Sequence, residues 1–176
     1  PADVKPRPGE EGLAAGPIQL VDPMNEYIDS ILAAVATEAI RQRGLHVVLD
    51  PMYGVSKTAL QTILLTARVD LSVIHERRDT LFGGRLPAPT VHTLLALQTY
   101  VIAYRCDIWL ATDGDADRIG GIDDQGIFLH PNDHLFRLYY YLVKYKGWRC
   151  PVVRYFPPTH TPDKVSESLC QSRYYV

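Results

Sequence analysis

Apolar positions along the chain fall into two alternating rhythms, one with helical spacing and one of short unbroken runs. Ile28, Ile31, Leu32, Val35 and Ala39 recur every three or four positions, behind an Asp22-Pro23 pair suited to cap and open a helix. Gly44 closes that segment, and residues 45–50 then form an apolar run of the kind buried in sheets. The same unit follows again. Leu60, Ile63, Leu64 and Ala67 mark one face of a helix over residues 57–67, and a strand-like run occupies 69–75. Beyond a loop rich in glycine and proline at 76–89, residues 90–105 read as a helix and 107–112 as a strand. This alternation predicts an α/β fold, a layered α/β/α domain with a mostly parallel sheet.

Downstream the rhythm changes. Residues 119–122 and 127–129, joined by Asp123-Asp124-Gln125-Gly126, predict a small hairpin. Pro131 opens a helix running to about residue 146, with Leu135, Leu138 and Leu142 expected inward and Gly147 at its end. Tyr139, Tyr140 and Tyr141 are successive and cannot share one face of that helix, so they read as core packing plus a half-exposed ring. A strand at 152–156, a helix from Thr161-Pro162 and a closing Tyr174-Tyr175-Val176 come last, with no partner strand evident for them. The expected organisation is a proline- and glycine-rich linker or arm at 1–22, a domain at 23–149, and the truncated opening βα unit of a following domain at 150–176.

Composition narrows the function classes. An apolar share of 47% in 176 residues is enough for a real core. The formal net charge of −2, from 18 Lys+Arg against 20 Asp+Glu, comes without a basic stripe, so no nucleic-acid partner is expected. No apolar run is long enough to span a bilayer and no signal segment opens the chain, so no membrane partner is expected either. Cys106, Cys150 and Cys170 fit neither a disulfide framework nor a zinc spacing, and a reduced, cytoplasmic protein with buried thiols is the simple reading.

The candidate chemistry is concentrated in Asp113-Gly114-Asp115-Ala116-Asp117-Arg118, directly after a strand. Open α/β sheets hold their ligands at the carboxyl ends of strands. Three carboxylates in five residues repel one another unless a cation neutralises them, and hard oxygen donors suit Mg²⁺ and tolerate Mn²⁺. The plain alternative is a solvated acidic turn. An EF-hand loop fits poorly, because Arg118 stands where that loop needs glycine and a strand precedes in place of a helix. A haloacid-dehalogenase type of phosphatase, with Asp113 as nucleophile, normally carries Thr or Val where Asp117 stands.

The string from Thr112 to Arg118 resembles the metal loop of the α-D-phosphohexomutases, the phosphoglucomutase/phosphomannomutase family. Asp50-Pro51-Met52-Tyr53-Gly54-Val55 resembles the opening of that family's second domain, and Leu81-Phe82-Gly83-Gly84-Arg85-Leu86-Pro87-Ala88-Pro89 its Gly-Pro loop. Gly126 to Asp133 resembles the segment after the metal loop, and Lys146-Gly147-Trp148 with Pro151 to Arg154 the junction into the third domain. Order and spacing agree from about Asp22 to the C-terminus.

The resemblance implies an isomerase that moves a phosphoryl group between the 1- and 6-positions of a hexose phosphate through a bisphosphate, with phosphoglucomutase placed ahead of phosphomannomutase. It implies that Asp113, Asp115 and Asp117 ligate Mg²⁺ and that Arg118 lies beside the transferring phosphate, where charge develops. For Arg118 a structural ion pair with a loop carboxylate is the competing reading. The family's Ser-His nucleophile motif does not occur in these 176 residues, nor do its sugar-reading and phosphate-gripping loops, so the missing catalytic domains are the implied partners and the chain alone is expected to be inactive. A non-catalytic binding module that kept the fold is the alternative from a different class.

Some positions depart from the family pattern. Tyr155-Phe156-Pro157-Pro158-Thr159-His160-Thr161-Pro162-Asp163 carries two prolines where small residues are usual, which puts sugar contacts there in doubt. Trp109 replaces a small residue, and Gly121 a β-branched one whose loss weakens its strand. His160 reads equally as a phosphate contact or a surface histidine. Arg85 follows Gly83-Gly84, which reads as a plain reverse turn, with anion contact as the second candidate. His75, His92, His130 and His134 show no spacing suited to a shared metal.

Overall fold

The computed structural model describes residues 8–16, 18–149, 152–154 and 173–175. In the arm lies a short helix, α1 (Gly9–Ala14), with nearly all its residues exposed. The helix expected from residue 23 is two helices, α2 (Met24–Ala34) and α3 (Thr37–Arg43), because Val35 turns extended with ψ 146°. Asp22 still serves the start of α2, its Oδ1 accepting the Met24 N–H at 3.1 Å. Then follow β1 (His46–Asp50), α4 (Lys57–Thr66) and β2 (Asp70–Val73). A short 3₁₀ turn at Phe82–Gly84 precedes α5 (Val91–Tyr104), which opens on a reciprocal capping box between Thr90 and Thr93. The chain continues through β3 (Ile108–Thr112), β4 (Ile119–Asp123), β5 (Phe128–Leu129) and α6 (Pro131–Lys144).

Five strands form one sheet in the order β2-β1-β3-β4-β5. β1 runs parallel to β2 and β3, while β4 and β5 turn back as the antiparallel hairpin the glycine turn predicts. Alternation along the strands separates two cores. Val48, Trp109, Ala111 and Ile122 face Leu94 and Val101 of α5, with Cys106 buried as a free thiol among them. Val47 faces the opposite way with Ala67 and Val69, against Ile40, Leu64, Ile108 and Leu110. Helices cover both faces, which is the layered arrangement expected.

Two expectations fail. Leu135 and Leu138 are not inward: they are 64% and 53% exposed, because the described residues place no layer over that face of α6. The C-terminal strands are not partnerless: β6 (Val152–Arg154) pairs in parallel with β7 (Arg173–Tyr175). The closing tyrosine segment is evident in the sequence, but its pairing with a strand so far back along the chain has no local signature. The predicted helix from Thr161, His160, Cys150 and Cys170 all lie outside the described residues.

Candidate metal centre

The acidic loop joins β3 to β4 at the carboxyl ends of the parallel strands. Its root is Asp113, 1% exposed, while Asp115 and Asp117 are exposed. One ligand atom from each carboxylate lies within 4.8 Å of the others, so the three converge on a single point. Such a set of hard, anionic oxygens fits a small divalent cation. Arg118, the last residue of the loop, bonds back to its first. Its backbone N–H donates to Asp113 Oδ1 at 3.0 Å and its Nε–H to Oδ2 at 2.6 Å, with Asp117 Oδ1 3.5 Å away. The ion pair with a loop carboxylate, the competing reading of Arg118, is therefore present.

Charge is distributed unequally over the three. Burial works to raise the Asp113 carboxyl, but the bonds from the Arg118 backbone and guanidinium, with a further one to Asp117, hold it below the ordinary carboxylate value. Asp117 is pushed up by its hydrogen bond to Asp113 and by the neighbouring negative charges of Asp115 and Asp113. The same carboxylates raise Arg118 further, Asp113 most of all.

Neighbouring loops clamp this one. Val55 N–H donates to the Gly114 carbonyl at 3.1 Å. A Cβ on Gly54 would sit 2.5 Å from that carbonyl oxygen, so that position requires glycine, while one on Gly114 would sit 2.9 Å from the Phe82 ring, which would have to shift. The hydroxyls of Ser56 and Thr112, both buried, meet at 2.6 Å just before Asp113 and tie the start of α4 to the end of β3.

Arg85 does not join the carboxylates. It lines a neighbouring cavity of about 30 Å³ with Asp50, Tyr53, His75 and Phe82. Sequence reasoning missed Asp50 and His75, whose one signal was a carboxylate closing an otherwise apolar run. A larger cavity of about 740 Å³ is lined by Arg118 itself, with Ile119, His130, His134, Leu135 and Leu138. Gly121 does not interrupt its strand. The His134 ring occupies the space a side chain there would need, 3.3 Å from a Cβ position, and Trp109 is buried opposite Ile122.

A family model described as phosphoglucomutase/phosphomannomutase, alpha/beta/alpha domain II, matches residues 25–126. The chain belongs to that family. A phosphoglucosamine/phosphogalactosamine mutase of Sulfurisphaera tokodaii is 30% identical over 103 residues, covering 58% of this chain and 23% of its own. A phosphoglucomutase/phosphomannomutase of Thermococcus kodakarensis is 32% identical over 123 residues, covering 70% and 27%. The solved structure of a candidate phosphomannomutase from Thermus thermophilus superposes with a TM-score of 0.80 at 26% identity, over 89% of this chain and 36% of that one. The phosphohexomutase-family chain thus spans about a quarter of the length of the curated relatives it matches.

Proposed function

We propose that this chain is the cation-holding part of a phosphohexomutase, acting within a longer protein to move a phosphoryl group between the 1- and 6-positions of a hexose phosphate through a bisphosphate. The observation that carries the reading is the convergence of Asp113, Asp115 and Asp117 on one point inside a clamped loop of the matching family domain. These three would hold Mg²⁺, with Mn²⁺ as a substitute, and the ion would stabilise charge on a phosphoryl oxygen. Arg118 adds a fixed positive charge beside that point, oriented by Asp113, where a transferring phosphate gains negative charge. The relatives' names span glucose, mannose, glucosamine and galactosamine phosphates, and the substrate class is proposed only as a hexose phosphate. Arg85 and His160 remain proposed contacts to it. The family membership supports a cytoplasmic site of action, and no described helix is long and apolar enough to cross a membrane.

An aspartyl-phosphatase reading gains no support, since a nucleophilic Asp113 would have to meet phosphate from a position 1% exposed and doubly bonded to Arg118. The 176 residues alone are expected not to turn over, because they carry no phosphoserine motif as phosphoryl donor. The test installs residues 25–126 of this chain in the Thermococcus kodakarensis relative, in place of its matching segment. The hybrid should convert glucose 1-phosphate to glucose 6-phosphate with Mg²⁺ and lose that conversion on Asp115→Asn. Conversion by the purified chain, free of host mutase, would overturn the fragment reading.

A further inference from the structure

Asp50, at the end of β1, is a carboxylate 1% exposed that the proposed chemistry does not use. Its Oδ2 accepts from His75 Nδ1 at 3.0 Å and its Oδ1 from the Met52 N–H at 2.8 Å. Burial pushes the Asp50 carboxyl up, and the bonds from His75 and Met52, with the charge of Arg85, work against that rise. His75 also holds the next residue, its carbonyl accepting the Tyr53 N–H at 3.0 Å while the two rings lie 5.0 Å apart.

The turn gripped this way is strained. Met52, Tyr53 and His75 sit at φ 48°, 62° and 45°, left-handed conformations that bulky L residues avoid. Something must hold them there, and the Asp50–His75 contact spans the two ends of that turn's support. What the turn presents is Gly54 and Val55, the residues against the Gly114 carbonyl in the middle of the acidic loop. A continuous path of hydrogen bonds and close contacts therefore runs from His75 through Asp50 and Met52–Val55 to the residue between Asp113 and Asp115.

We propose that His75, seated on buried Asp50, is a positioning residue for the acidic loop, fixing the carboxylates for their cation from outside the ligand set. The inference rests on reading that loop as a cation site. Groups behind a ligand set commonly orient it without touching the cation, and here the orienting contact reaches the loop through Val55 and the Gly114 carbonyl.

The test compares His75→Gln with His75→Asn in the intact chain. The Asn amide keeps a donor near the place of the ring's Nδ1, and the Gln amide carries it to that of Nε2. Mn²⁺ affinity is read by electron paramagnetic resonance and loop order by amide exchange at Val55, Ala116 and Arg118, with Asp115→Asn as control. His75→Gln should weaken Mn²⁺ binding about tenfold and speed exchange at those three amides, while His75→Asn stays near the original chain. Original affinity and exchange in His75→Gln, or equal losses in both variants, would sink the proposal. Should Asp115→Asn bind Mn²⁺ like the original chain, the cation reading fails, and the exchange rates still decide whether His75 orders the loop.

Discussion

Strand β4 is entered and left through two acidic turns, and they are not alike. Asp113 to Arg118 leads in, and Asp123-Asp124-Gln125-Gly126 leads out. In the second turn the carboxylate is spent on its own backbone: Asp123 Oδ1 accepts from Gln125 N–H at 3.1 Å and Ile127 N–H at 2.8 Å. That is an Asx-type turn, complete without a ligand. In the first, three carboxylates converge, one is buried, and the backbone between them is pinned by Gly54, Val55 and Phe82 from other loops. Acidic residues beside a strand do not make a site. A site needs several carboxylates brought to one point, here with Asp113 alone bonded to the loop's own backbone at Arg118, and a frame that holds them together against their repulsion.

The contrast is most directly broken at the frame. Gly54→Val puts atoms where the Gly114 carbonyl lies, and should cost about 3 kcal/mol, the upper range for overpacking, in urea unfolding. An equal cost with an undisturbed loop by amide exchange would show that Gly54 is not part of the clamp. Thr112→Val leaves the buried Ser56 hydroxyl without its partner and should cost about 1–2 kcal/mol in the same measurement. A smaller effect belongs to the self-contained turn. Asp123→Ala should cost about 1 kcal/mol, as an exposed local cap does, and leave Mn²⁺ affinity unchanged.

The smallest effect sharpens the wall behind Arg118. His134 has its Nε2 buried with no hydrogen-bond partner among the described residues, and burial, with Arg137 nearby and Asp133 opposing, lowers its pKa. The folded state therefore refuses a proton that the unfolded state accepts, so stability present at neutral pH should decline as pH falls through about 6.5. His134→Gln should flatten that part of the pH–stability curve measured by chemical denaturation. An unchanged slope would remove His134 as its cause.

Much of this was legible in the chain because it is written in local periodicity. The runs 45–50 and 107–112 became β1 and β3, and the acidic spacing after the second marked the loop where three carboxylates do converge. What stayed hidden depends on which surfaces meet. The Asp50–His75 contact joins residues 25 apart, brought together by the parallel pairing of β1 with β2, and no periodicity encodes that pairing. Leu135 and Leu138 have the spacing of a buried stripe, but spacing says which residues share a face and not what covers it. The break at Val35 is similar: the helical rhythm runs through it, yet the backbone there is extended and the segment divides into α2 and α3.

The most direct test of the central claim is a Mn²⁺ titration followed by electron paramagnetic resonance on the chain, on Asp115→Asn and on Asp124→Asn. One ion should bind per chain, with affinity falling at least about tenfold in Asp115→Asn and unchanged in Asp124→Asn. Binding that survives Asp115→Asn, or that both variants weaken equally, would contradict the assignment of the cation to the loop between β3 and β4.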